Sequence, residues 1–110
     1  MDLILWRHAE AVDAPEGGDD LARTLTPRGE RQAARVAAWL DRQLPEGVRI
    51  YASPAVRTRQ TVEALPRRHK LRPELAPGAS PIEVLRLAGW PEGKSPVLIV
   101  GHQPTLGQVI

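Results

Sequence analysis

The sequence contains no cysteine and no phenylalanine, only one tyrosine, and no apolar run close to the length of a membrane span. Without cysteine there can be no disulfide framework, no thiolate metal site and no cysteine nucleophile. Aromatic residues make up 4% of the chain, whereas proteins that hold single-stranded nucleic acid interleave basic residues with exposed rings on which bases stack. A nucleic-acid partner is therefore not expected. A transmembrane helix needs about 18 or more consecutive apolar residues. The one apolar run near the N-terminus is broken by Arg7 and His8 before it can act as a signal sequence, so no membrane association and a cytoplasmic location are expected.

At 110 residues, 42% hydrophobic and 25% charged, the chain is expected to form one globular domain over 1–110. The formal charge is only +2, but the pI near 9.7 reflects arginine-rich segments that include Arg57, Arg59, Arg67, Arg68 and Lys70.

Three apolar runs end in reactive or cationic side chains. Leu3-Ile4-Leu5-Trp6 stops on Arg7 and His8, and Val97-Leu98-Ile99-Val100 stops on Gly101 and His102. Such runs read as strands buried on both faces, as in parallel sheets. A third run, Val48 to Ala52, leads into Ser53-Pro54-Ala55-Val56-Arg57. Parallel strands present their carboxyl ends at one edge, where open α/β sheets place ligands. Arg7, His8, Arg57 and His102 can then meet as a cluster of N–H donors and positive charge suited to an anion with several oxygens, and phosphate is the natural candidate.

Between the strands lie helical patterns. Thr26-Pro27 reads as a cap with proline at the first helical position, followed by Ala33, Val36, Ala37 and Leu40 at helical spacing. Ser53-Pro54 is expected to cap a second helix whose Val56, Val62 and Leu65 face inward. Ser80-Pro81-Ile82-Glu83 has capping-box spacing and opens a third helix that runs to Gly89. Leu71 to Leu75 is a weak strand interrupted by Pro73, and Pro104 to Ile110 reads as the first turns of another helix. Ala9 to Arg23, with Pro15 and two glycines, is expected to be a mobile loop overhanging the site. The alternation predicts a three-layer α/β/α fold on a mainly parallel sheet.

Three motifs in this order, Arg7-His8 after the first strand, Ser53-Pro54-x-x-Arg57 with Gln60-Thr61 behind it, and Gly101-His102 after a late strand, resemble the histidine phosphatase superfamily, which includes the phosphoglycerate mutases. Arg23-Thr24-Leu25-Thr26-Pro27-Arg28-Gly29 and Pro73-Glu74-Leu75-Ala76-Pro77-Gly78 resemble its small phosphohistidine phosphatases of the SixA type. The resemblance runs the whole chain and implies a phosphoglycerate mutase-like fold. Because family members continue past the point where this sequence stops, it also implies a domain truncated at its C-terminus.

Chemistry and resemblance agree on His8 as a nucleophile that takes the phosphoryl group, splitting one difficult step into two. Arg7 and Arg57 would clamp the phosphoryl oxygens, and by their charge keep the His8 imidazole neutral; at about 4 Å and an effective dielectric near 20, each such pair is worth about 4 kcal/mol. The resemblance makes His102 a further donor to the same group. Ser53 either adds its hydroxyl to the phosphate site or caps its helix, with the cap favoured, and Arg28, Arg31 and Arg59 read as solvated. A metal site built from His8, Glu10, His102 and Asp13 is disfavoured because arginines aimed at the same point repel a cation. No metal and no cofactor are expected.

The general acid is the gap. Members of the resembled family that cleave alcohol esters protonate the departing oxygen with a carboxylic acid near the third strand, and here Glu74 is the candidate general acid by proximity. Only about 22 residues separate Pro73 from Ser95, too few for the large lid that encloses small substrates in the mutases. Both features favour hydrolysis of protein-bound phosphohistidine on signalling or phosphotransfer proteins. A small-molecule phosphomonoesterase using Glu74 or Glu10 as acid, and a non-catalytic phosphate-recognition module, are the alternatives.

Overall fold

Strand β4 (Val97–Gly101), the last in the chain, is the spine of the sheet, and all five of its residues are buried. In this computed structural model, which describes residues 2–14, 17–90, 93 and 95–109, it lies between β1 (Leu3–Arg7) and β2 (Arg49–Ala52). The short β3 (Lys70–Leu71) completes a four-stranded sheet of order β1-β4-β2-β3 in which every described ladder is parallel.

Alternation along the strands sorts the core into two layers. Ile4, Trp6, Ile50, Ala52, Leu98 and Val100 face helices α1 (Pro27–Gln43) and α2 (Val56–Glu63) through Ala37, Leu40 and Val62. Leu3, Leu5, Tyr51, Val97 and Ile99 face α3 (Pro81–Ala88) and α4 (Thr105–Val109) through Val84, Ala88 and Leu106. The fold is thus α/β/α in three layers with a parallel sheet, as the apolar runs predict. The two helices used before the chain reverses direction across the sheet share one face, and α3, used for the return, lies on the other. Right-handed crossovers require that change of face.

Local chemistry explains most element ends. Thr26 caps α1 by accepting from the Gly29 N–H at 2.9 Å, with Pro27 at the first position. A Cβ at Gly29 would land on the Glu10 carbonyl oxygen, so glycine is what lets the start of α1 press against the segment that follows His8. Arg67, from one of the arginine-rich segments, closes the other end of α1: its guanidinium donates to the carbonyls of Asp41, Leu44 and Pro45 and to the Asp41 carboxylate. Helix α3 ends on Gly89 in the left-handed region (φ 69°), the conformation glycine adopts without penalty.

Several expectations are corrected. Ser53 does not cap α2; the cap position belongs to Ala55, which makes no side-chain cap bond. The capping box at α3 is half formed, because Ser80 accepts from Ile82 N–H while Glu83 turns outward to pair with Arg86. Val36 is exposed rather than inward, and Val56 is only partly buried. After the two residues of β3 the chain turns through a single 3-10 turn, Pro73–Leu75, where Pro73 prevents further pairing. The segment after His8 is pinned by an Ala11–Leu25 bridge and contains a second 3-10 turn, Asp20–Ala22, capped by the Asp19 carboxylate. Pro15 in that loop, and Ile110 at the end of the fourth helical pattern, lie outside the described residues. Among the described residues no helix is long and apolar enough to cross a membrane.

Candidate active site

Because β4 sits between β1 and β2, three strand ends carrying candidate residues are neighbours. Backbone bonds tie them together: His8 N–H donates to the Gly101 carbonyl at 3.1 Å, and Ser53 N–H to the Val100 carbonyl at 3.1 Å. Arg7 is in register with Gly101. The His8 and His102 rings are consequently brought to 5.3 Å between centroids, tilted by 57°.

Each ring is held by one nitrogen. His8 Nδ1 lies 2.7 Å from the Ala9 carbonyl oxygen. A carbonyl can only accept, so Nδ1 carries the proton and the neutral ring presents its lone pair at Nε2. The Ala9 N–H donates in turn to the Thr61 hydroxyl, which donates to the Arg57 carbonyl at 2.7 Å, so the segment carrying His8 is bolted to α2. His102 is 3% exposed, with Nε2 at 2.7 Å from the Ser53 hydroxyl and a buried Nδ1 that has no partner among the described residues.

Burial is the main cause that pushes the His8 pKa below 6.5; its bond to the Ala9 carbonyl works the other way, and the charges of Arg57, Arg7 and Arg23 lower it further. For His102 burial again leads, followed by Arg57, taking the pKa down to about 4. The sequence argument named the arginines, which act in the same direction but are the smaller cause. An imidazole NMR titration should therefore give a midpoint below 6.5 for His8 and one near 4 for His102. The linked stability effect has a definite sign. Between pH 6.5 and about 4 the unfolded chain takes up a proton that folded His102 refuses, so stability falls with pH across that window. A His102 midpoint at or above 6.5 would contradict the burial described here.

Arg57 is almost fully buried, at 4% exposure. Its Nη1 donates to the Asp20 carbonyl at 2.8 Å and its Nη2 to the Asp20 carboxylate at 3.1 Å, while its buried Nε has no partner among the described residues. Arg7 is exposed at the end of β1. Ser53, fully buried, serves the His102 ring and accepts weakly from Ala55 N–H, so positioning that histidine takes the place of the helix cap expected from sequence. Gly101 packs against the Leu106 side chain, which is what a Cβ there would meet.

Among the described residues Glu74 makes no hydrogen bond to the cluster. Its carboxylate is bound by Arg72 at 2.7 Å, and that hydrogen bond pulls its pKa below the usual carboxylate range, the wrong direction for an acid that must arrive protonated. Sequence reasoning gave no role to Asp20, nor to Arg23 and Gln60, which it named only as parts of motifs. Gln60 accepts from Leu25 N–H at 2.7 Å and so fastens the Arg23–Gly29 segment to α2. The signal that could have found it was its position one turn after Arg57 in a helix whose buried side carries Thr58 and Thr61 as well as the apolar Val62.

Comparison with known proteins shows the family and agrees with the fold. The profile of the histidine phosphatase superfamily (branch 1) matches residues 3–94. The chain is 30% identical over 118 residues to the phosphohistidine phosphatase SixA of Escherichia coli K12, covering all of this chain and 72% of that protein. It is 35% identical over 103 residues to an uncharacterized protein of Mycobacterium tuberculosis, covering 90% of this chain and 63% of the other. The solved structure of the protein histidine phosphatase SixA complexed with tungstate superposes with a TM-score of 0.78 at 30% identity, over 99% of this chain and 74% of that one. The chain thus spans between 63 and 74% of the length of these relatives.

Proposed function

Since the chain belongs to the histidine phosphatase superfamily, we propose that it is a phosphatase that hydrolyses phosphohistidine on signalling or phosphotransfer proteins, through a covalent phosphohistidine on His8. The lone pair of His8 Nε2 attacks phosphorus in line, the bond from phosphorus to the substrate ring breaks, and that ring, protonated at its other nitrogen, leaves with the bonding electrons as neutral imidazole. Water then attacks the phosphorylated His8, releasing inorganic phosphate and restoring the imidazole. The Nδ1–H bond to Ala9 fixes the reactive tautomer through both steps.

The remaining donors match the charge that develops. In this reading the Ser53 hydroxyl donates to His102 Nε2, so that the His102 proton sits on Nδ1, and an oxyanion beside His8 supplies the acceptor that Nδ1 and Arg57 Nε lack. Tungstate is a tetrahedral oxyanion of the same shape as phosphate, and the SixA relative that binds it shares this fold. Low pKa values in both rings keep an anion facing neutral donors and a free nucleophile, rather than a protonated nitrogen that cannot attack.

One observation carries the choice of substrate: the candidate acids are engaged elsewhere, Glu74 by Arg72 and Glu10 by the Thr26 hydroxyl at 2.9 Å, and Asp20 is held ionised by Arg23 and Arg57. An imidazole leaves phosphorus readily, whereas an alkoxide needs a proton, a service worth about 10²- to 10⁴-fold. The stretch between Pro73 and Ser95, too short for a lid of the mutase kind, also suits a protein-borne substrate. A cleft of about 810 Å³ at the opposite end of β2, lined by Val48, Ile50, Leu65, His69 and Lys70, contains neither site histidine.

The test is a panel of phosphohistidine protein, an activated aryl phosphate and an unactivated alkyl phosphate, assayed on the chain and on Glu74→Gln. Phosphohistidine and the aryl ester should be turned over at least about 10²-fold faster than the alkyl ester, with phosphohistidine turnover within a few-fold in the variant. Comparable rates on the alkyl ester, lost on Glu74→Gln, would instead make the protein a small-molecule phosphomonoesterase.

A further inference from the structure

The buried arginine of the site is already occupied by an anion from its own chain. Asp20 gives one carboxylate oxygen, Oδ2, to Arg57 Nη2 and the other, Oδ1, to Arg23 Nη1, both at 3.1 Å. A single carboxylate therefore spans two guanidinium groups, oxygen by oxygen, as two oxygens of a phosphoryl group would. The Asp20 side chain is 53% exposed and stands on a turn of only three residues, so little besides these two arginines holds it in position. Arg23 is nearer the chemistry than its place in the sequence suggests. Its Nε donates to the Val12 carbonyl, which anchors the side chain, and its charge acts on both site histidines, disfavouring their cationic forms.

We propose that Arg23 is a third phosphoryl-binding arginine, and that the Asp20 carboxylate occupies Arg23 and Arg57 until an incoming phosphoryl group displaces it. This inference rests on the reading of the His8 cluster as a phosphoryl site. In the free protein the carboxylate neutralises two cations that would otherwise face each other. When a phosphoryl group enters, its oxygens take over the same donors, and Asp20, with its exposed position, is released to water. The carboxylate then acts as a resident competitor that weak anions cannot evict, which favours a phosphoryl dianion over singly charged anions.

Competition and simple support predict opposite signs. If Asp20 only props Arg57 in place, Asp20→Asn weakens anion binding; if it competes, Asp20→Asn strengthens it. Calorimetric titration of inorganic phosphate into the unmodified chain, Asp20→Asn and Arg23→Gln separates these. Asp20→Asn should bind phosphate about three- to tenfold more tightly, the size of ion pairs to a half-exposed carboxylate that no longer have to be broken, and Arg23→Gln should bind it about tenfold more weakly. Thermal unfolding of each variant in the same buffer checks that the fold is intact, and a rise in midpoint with phosphate that is larger for Asp20→Asn reports the same ordering independently. Equal or weaker binding by Asp20→Asn, or unchanged binding by Arg23→Gln, overturns the inference while leaving the phosphoryl site standing. Failure of the unmodified chain to bind phosphate at all overturns the site and the inference together.

Discussion

Replacing His8 with alanine should reduce turnover of phosphohistidine by about 10⁴-fold or more while leaving the affinity for inorganic phosphate within a few-fold. The first part follows from the loss of the only atom proposed to form a bond with phosphorus; removal of a nucleophile typically costs several decades because no other group takes over its step. The second follows from the division of labour in the site. The proposed binding donors belong to Arg7, Arg57, His102 and Arg23, and the last three keep their own protein support when the His8 ring is removed: Asp20 for Arg57 and Arg23, and Ser53 for His102. The imidazole is only half buried and makes one hydrogen bond through its ring, so folding should survive. Single-turnover assays with phosphate titrations on the same preparation check both halves. A variant that has lost phosphate binding along with activity would show that His8 binds rather than reacts.

Arg57→Gln should lower kcat/KM by about two to three decades, the usual cost of removing one preorganised donor from a developing charge. Arg57→Lys should recover little of it. The reason is geometric: the guanidinium uses Nη1 and Nη2 on Asp20 while Nε remains available inside the fold, and a lysine ammonium has no fork with which to meet these positions together. Because Arg57 is buried and fastens the Asp20–Ala22 turn, its loss should also lower the unfolding midpoint. Full rescue by lysine, with unchanged stability, would show that only a positive charge is needed there.

The parts of this architecture that could be read in advance are those where one residue pattern has one structural solution. Four apolar residues ending on Arg7-His8, and four ending on Gly101-His102, are short buried strands with polar ends. The pairing of the two followed only once β4 was inserted between β1 and β2, a long-range choice that no local window contains. Thr26-Pro27 and Gly89 act locally and behave as their chemistry dictates. Ser53 does not, because its hydroxyl can serve either the helix behind it or the histidine 49 residues later, and packing decides for His102. Asp20 was legible only as one acid in a polar loop. Its partner Arg57 lies 37 residues away, and nothing in the spacing shows that a buried guanidinium would reach back to it. Glu74 is the converse case, a candidate chosen by proximity in sequence whose partner in space is its near neighbour Arg72.

The central claim is that phosphate passes through a covalent bond to His8. Rapid quench of the chain with radiolabelled phosphoramidate, followed by trypsin at high pH, tests it directly. Cleavage after Arg7 and Arg23 leaves His8 on a peptide that excludes the two other histidines of the sequence, His69 and His102. The account predicts label on that peptide alone, lost in acid, stable in base and absent from His8→Ala. Turnover without any trapped label, or label on the peptide that carries His102, would contradict it.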